Sequence, residues 1–159
     1  MKASPTLTNN LQAVLADLIE LHIQGKQAHW NIVGTNFRDL HLQLDEIVDA
    51  ARLFADEVAE RMRALHALPD GRSATVTEQT SLPPFPPGLI STKDAIERIV
   101  AALEAAVGTM RKVHDEVDEE DPSTSDLLHE FILKLEQFAW LVGAETMKAT
   151  ASATAADAP

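Results

Sequence analysis

The sequence predicts an all-α protein built as a four-helix bundle, on three observations. Apolar residues recur at helical steps in four long stretches, breaker signals punctuate them, and one proline-rich segment divides them into two pairs.

In the first stretch, Leu7, Leu11, Val14, Leu18 and Leu21 follow one another at three- and four-residue steps, a helical period. Gly34 suits the C-terminal cap of this helix. The second helix is expected to begin at Phe37, with Thr35-Asn36 as cap candidates, and to run to about Leu68. Phe37, Leu40, Leu44, Val48, Ala51, Ala55, Val58, Met62 and Leu65 form its apolar stripe, and Pro69-Asp70-Gly71 stops it. Residues 71–90 hold half of the prolines, all in Pro83-Pro84-Phe85-Pro86-Pro87, and read as a long crossover with room for one short turn. Ser91, with Asp94 three residues on, resembles a capping box and opens a third helix reaching about Val117. Asp121-Pro122-Ser123 breaks the chain again. A fourth helix follows from Ser123 to roughly Lys148, carrying Leu127, Leu128, Phe131, Leu135, Phe138 and Leu141. Residues 1–6 and 149–159 are expected to be tails, the latter disordered, around a bundle spanning 7–148. Two helical hairpins joined by one long crossover have ferritin-like connectivity, whereas cytokine-type bundles need two long crossovers. No segment shows a strand pattern.

The composition narrows the function. The chain has 159 residues, enough for one domain with a sizeable core. It has no cysteine, so a metal must be held by His, Asp and Glu. No apolar run approaches membrane-spanning length. Met1 to Asn10 carries one Lys and no apolar core, unlike a secretory leader, so a cytoplasmic location is expected. Thirteen Lys and Arg against 25 Asp and Glu give a net charge of −12. Such a surface repels a phosphate backbone and attracts cations.

The second helix carries the chemistry. His41 and Asp45 are four positions apart, as are Asp56 and Glu60, and i, i+4 pairs share a face. Eleven positions separate Asp45 from Asp56, close to a whole number of turns, so both pairs look the same way. At about 1.5 Å rise per residue they stand roughly 16 Å apart, too far to grip one ion from a single helix. Their sector lies roughly 120° from the middle of the apolar stripe, so they do not point into the bundle's own core. Two second helices packed antiparallel across a two-fold axis would bring the His41–Asp45 end of one to the Asp56–Glu60 end of the other, making two equivalent sites. A ferritin-type site inside the bundle uses Glu-x-x-His motifs, and none occurs here; Asp126-x-x-His129 is a weak substitute. His29 supplies a further imidazole. Two His with several carboxylates suit Fe(II), Mn(II) or Zn(II).

The segment Lys26-Gln27-Ala28-His29-Trp30-Asn31, followed by His41, Asp45, Asp56 and Glu60, resembles the signature of the Dps family of mini-ferritins. That signature runs His, eleven residues, His, three residues, Asp, ten residues, Asp, three residues, Glu, and every position is matched. Asp56-Glu57-Val58-Ala59-Glu60-Arg61 is also typical of it, and the similarity spans roughly residues 7–148. The resemblance implies a hollow homo-dodecamer that oxidises Fe(II) at two-fold interfaces, usually with hydrogen peroxide and otherwise with dioxygen, and stores ferric mineral inside. It implies that His29, His41 and Asp45 come from one subunit and Asp56 and Glu60 from its mate, with zinc or manganese as competitors. Trp30 would take up stray oxidising equivalents, and Lys26 would hydrogen-bond around the ligands. Asp121, Asp126 and Glu130 would line an iron-entry pore, since acidic rings attract cations.

Other readings have their own marks. A nucleoid-compacting DNA binder needs a Lys-rich tail, yet the N-terminal tail has only Lys2 and the chain ends Ala155-Ala156-Asp157-Ala158-Pro159. A bundle serving as an interaction scaffold would leave the acids as a solvated face, and Arg52 in the same sector fits that picture. His22, His66 and His114 receive no role, and Trp140 is expected to pack.

Overall fold

The computed structural model describes residues 1–148, and the expected tail at 149–159 lies outside them. Four long helices form, α1 (Pro5–Asn31), α2 (Phe37–Ala64), α4 (Thr92–Glu120) and α5 (Pro122–Ala144), with a short α3 (Ser73–Gln79) in the crossover. Two-residue strands β1 (Ile32–Val33) and β2 (Ile90–Ser91) pair in parallel, with Ile32 opposite Ile90 and Val33 opposite Ser91. The helices pack as two hairpins, α1 on α2 and α4 on α5, joined through α1 against α4. One apolar core runs between them, from Leu7 and Leu11 through Leu44, Ile47 and Met62 to Leu103, Met110 and Phe131. Phe54 and Phe131 stack across it with ring centres 4.2 Å apart. Among the described residues, no helix is long and apolar enough to cross a membrane.

The long helices end where local chemistry ends them, not always where the punctuation suggested. α1 starts at Pro5, because the Ser4 hydroxyl accepts from the Leu7 amide at 3.1 Å and proline's missing N–H costs nothing in the first turn. Residues 4–6 of the expected tail at 1–6 are therefore the cap and first turn of α1. Ser4 also bonds Glu120 through its amide at 2.7 Å and its hydroxyl at 2.5 Å, and the Ala3 amide donates to the Leu65 carbonyl. The far end of α1 is Asn31, not Gly34: Ile32 turns extended and enters the small sheet. Gly34, at φ 119°, instead makes the turn into α2 beside the Thr92 hydroxyl, where a left-handed backbone favours glycine. Asn36 precedes α2 in the left-handed region and makes no side-chain cap. α2 ends at Ala64, ahead of Leu68, because His66 adopts φ 59° before the proline is reached. α4 continues through Glu120 after the expected Ser91 cap, whose hydroxyl accepts from the Asp94 amide at 3.1 Å.

The crossover climbs along α1. Gln12 exchanges two 2.9 Å bonds with the backbone of Asp70. Asp17, almost fully buried, accepts from Thr80, from the amide and hydroxyl of Ser81, and from Thr109 on α4. Gln24 donates to the Pro83 carbonyl at 2.9 Å, and Ile32 pairs with Ile90. Each polar group taken from water thus has a partner, which is the condition for burying it cheaply. The result returns the chain from the end of α2 to the start of α4.

Candidate metal centre

The first turns of α2 meet the last turns of α1, and that meeting brings His29, His41, Asp45 and Lys26 together. Gly25 makes the approach close: a Cβ there would stand 2.7 Å from Val48 Cγ2. His29 and His41 stack with ring centres 3.6 Å apart and planes 24° apart, and Phe37 flanks His41 at 5.2 Å. Each Nδ1 donates to the other residue's backbone carbonyl at 3.0 Å. A carbonyl only accepts, so both Nδ1 atoms carry protons and the neutral rings keep their lone pairs on Nε2. Asp45 Oδ1 lies 3.3 Å from His29 Nδ1 and is ion-paired to Lys26. The Lys26 hydrogen bond holds the Asp45 carboxyl below its ordinary range, against a smaller push upward from burial.

Asp56 and Glu60 stand elsewhere, exposed farther along α2. Asp56 borders a cavity of about 350 Å³ with His22 and Arg52. Burial, Arg52 and Lys26 together lower the pKa of His22. Glu57, between the two acids, is pushed up by burial and then by Glu130, Asp56 and Glu60, which marks a concentration of negative charge reaching from α2 to α5. Among the described residues, no three His, Asp or Glu side chains of one chain converge as a metal site. The structure brings His29, His41 and Asp45 together and leaves Asp56 and Glu60 apart from them.

The residues expected at a pore divide. Asp126 and Glu130 are exposed at the start of α5. Asp121 is not with them: it is buried, pairs with Arg61 at 2.6 Å and accepts from the Thr124 hydroxyl. Burial raises its pKa, but the Thr124 and Arg61 bonds outweigh that and leave it below the ordinary value. Its expected place in an acidic ring is corrected to a clamp between α2 and α5. Trp30 is 70% exposed beside His29, and Trp140, expected to pack, is also exposed. One pair escaped the sequence reading: His114 on α4 and His129 on α5 meet with Nε2 atoms 2.7 Å apart. Their positions, fifteen apart in the chain, carry no local periodic signal.

A four-helix bundle with one long crossover, carrying His and carboxylates on its α1–α2 face, is a ferritin-like protein. A family model for the ferritin-like domain matches residues 8–149. DNA protection during starvation protein 2 of Deinococcus radiodurans is 34% identical over 130 residues, 82% of this chain; that stretch is only 54% of the relative, so the chain spans about half its length. The crystal structure of Dps92 from Deinococcus radiodurans superposes with a TM-score of 0.87 at 31% identity, covering 91% of this chain and 87% of the other. Dps from Microbacterium arborescens in its high iron form gives 0.84 at 33% identity, covering 91% and 97%. The chain belongs to the Dps family of ferritin-like proteins.

Proposed function

We propose that this protein oxidises Fe(II) at sites shared between subunits and stores the ferric product within a homo-dodecameric cage. His29, His41 and Asp45 of one subunit would face Asp56 and Glu60 of the partner subunit. The observation that supports this reading is the split ligand set: His41 and Asp45 stand half-buried beside His29 of α1, Asp56 and Glu60 stand exposed farther along the same α2, and within one chain the two groups do not converge on one ion. A two-fold axis that runs two α2 helices antiparallel joins the halves twice.

The donors suit the substrate. Imidazole nitrogen is a borderline ligand for Fe(II), and carboxylates favour the harder Fe(III) that oxidation leaves. Because Nδ1 of each His is held by a backbone carbonyl, each Nε2 is presented in the ligand tautomer before iron arrives. Lys26 keeps Asp45 ionised, and the same ammonium must yield Oδ1 to an incoming cation. Hydrogen peroxide would take one electron from each of two Fe(II) ions and two protons from solvent and leave as two waters, so no hydroxyl radical need be released; dioxygen is the alternative oxidant. Trp30, exposed beside His29, would absorb a stray oxidising equivalent. Asp126 and Glu130 remain as acids for an entry pore. Zinc and manganese would compete for the same donors.

DNA binding is not part of this reading, because the net charge is −12 and residues 149–159 contain no Lys or Arg. A cytoplasmic setting fits an iron store. The test is ferrous oxidation with added peroxide by the purified protein, scored against its native mass. Rapid formation of soluble ferric iron in a particle about twelve times the chain mass is expected for a closed point-group assembly. A small oligomer with no oxidation above the buffer control would return the acids to a plain solvated face.

A further inference from the structure

We propose that His114 and His129 form a second cation site, independent of the centre above, that holds a first-row transition ion such as Zn(II) or Co(II) between their Nε2 atoms. The two rings come from different helices of the α4–α5 hairpin and meet with Nε2 atoms 2.7 Å apart, ring centres 4.6 Å apart and planes tilted by 33°. His114 has a carboxylate on its other nitrogen, and a second carboxylate stands near that of His129. Asp115 Oδ1 lies 3.1 Å from His114 Nδ1, and Asp126 Oδ1 lies 3.8 Å from His129 Nδ1.

Asp115 sets the tautomer of His114. An ionised carboxylate only accepts, so it draws the proton of the neutral His114 ring to Nδ1 and leaves its lone pair on Nε2, aimed at His129 Nε2. The exposed His129 ring answers that lone pair with its own Nε2 proton, or with a second lone pair once a metal cation takes the proton's place. A carboxylate on Nδ1 with a metal on Nε2 is the standard way proteins orient a histidine ligand and raise its basicity. At Zn–N distances of about 2.0–2.1 Å, a tetrahedral ion asks the nitrogens to part by roughly half an ångström, which the exposed His129 ring can give.

The surroundings favour a cation. His114, Asp115, His129 and Arg111 border an open cavity of about 390 Å³, with space for water to complete the coordination. Arg111, the cation on its wall, is engaged by Glu136 at 2.5 Å. The exposed Asp115 and Asp126 add negative charge. Two imidazoles with water select a borderline ion over Ca(II) or Mg(II), which prefer oxygen.

The test uses the full-length assembled protein carrying His41→Ala and Asp56→Ala, which silences the proposed intersubunit centre. Zn(II) is titrated by calorimetry and Co(II) by its visible absorption. Saturable binding is expected, with Co(II) bands of nitrogen-ligated, low-coordination geometry. Further substitution of His129→Gln should lower affinity by more than about tenfold, and Asp115→Asn by about 10–100-fold, with native mass and circular dichroism unchanged. Equal binding with and without His129→Gln overturns the site. So does a proton-sharing pair only, seen as a linked titration of the two imidazoles in a protein that binds neither ion. Because the background has lost one intersubunit ligand from each half of that centre, either result leaves the ferrous-oxidation reading to be judged separately.

Discussion

His29 and His41 each donate from Nδ1 to the other's backbone carbonyl at 3.0 Å, a reciprocal pair that binds the end of α1 to the start of α2. Both rings are thereby set in one tautomer, and the stack between them fixes their orientation at a centre distance of 3.6 Å. His41→Phe separates ligation from packing, since a phenyl ring keeps the contact with Phe37 and His29 but has no nitrogen. Ferrous oxidation by this variant should fall by at least about tenfold while the thermal midpoint moves by only a few degrees. Stopped-flow absorbance against calorimetry checks both halves, and an unchanged rate would remove His41 as a ligand.

Gly25 sets how near the two helices come. Adding a methyl group there places Cβ 2.7 Å from Val48 Cγ2. Overpacking of this kind costs about 1–3 kcal/mol, against a helix-propensity gain of about 1 kcal/mol from Gly to Ala, so Gly25→Ala should lose about 1 kcal/mol net. Urea unfolding measures it. Val48→Ala added to Gly25→Ala should recover much of the clash cost, because the two sites touch and their effects are not additive.

Asp17 holds the crossover. It is 1% exposed and accepts from four donors on two segments, the crossover and α4. Asp17→Ala leaves those donors without a partner, and the loss should reach at least about 2–3 kcal/mol. Hydrogen exchange should show the opening first at residues 80–91, near Ser81 and the small sheet. Uniform acceleration across all helices would mean that the carboxylate supports the whole bundle instead.

Much of this was legible in the sequence because it is periodic. The stripe on α2 from Leu40 to Met62, the Ser91 cap and the proline-rich crossover are local signals, and each appears where the spacing put it. That His41, Asp45, Asp56 and Glu60 lie outside the bundle core followed from turn geometry alone, although His41 and Asp45 are half-buried against α1 and only Asp56 and Glu60 are exposed. Three features were not legible. The end of α2 depends on the left-handed His66, which no residue pattern announced. Asp121 reads as one more acid in a run, and only packing of α2 on α5 shows that Arg61 consumes it. The meeting of His114 and His129 depends on the relative register of α4 and α5, information that a single helix does not contain.

The Asp121–Arg61 pair gives a pH dependence with a definite sign. Asp121 has a folded pKa below 3.8, so its stabilising contribution is complete above 3.8 and is lost as pH falls through the folded value. Asp121→Asn should cost about 1.5–3 kcal/mol at neutral pH, the range for hydrogen bonds to charged groups. The gap between variant and parent should shrink only at pH values below 3.8. Denaturation midpoints across the acid range test this, and a gap that stays constant to low pH would contradict the clamp.

The shared site makes a prediction that no single-chain site can match. His41→Ala and Asp56→Ala should each keep the native mass and each oxidise iron slowly, because either one damages every site. In a two-fold pair made of one chain of each kind, one site has lost both residues. The other combines the His41 retained by one chain with the Asp56 retained by the other, and is whole. If the two variants are co-assembled in equal amounts and pair at random, half the pairs are mixed and half of their sites are intact, so about a quarter of the parental rate returns. Ligands that all belonged to one chain would give no recovery at any mixing ratio. The rate of the co-assembled protein, compared with a simple blend of the two preformed assemblies, therefore decides whether the halves of α2 are joined across subunits.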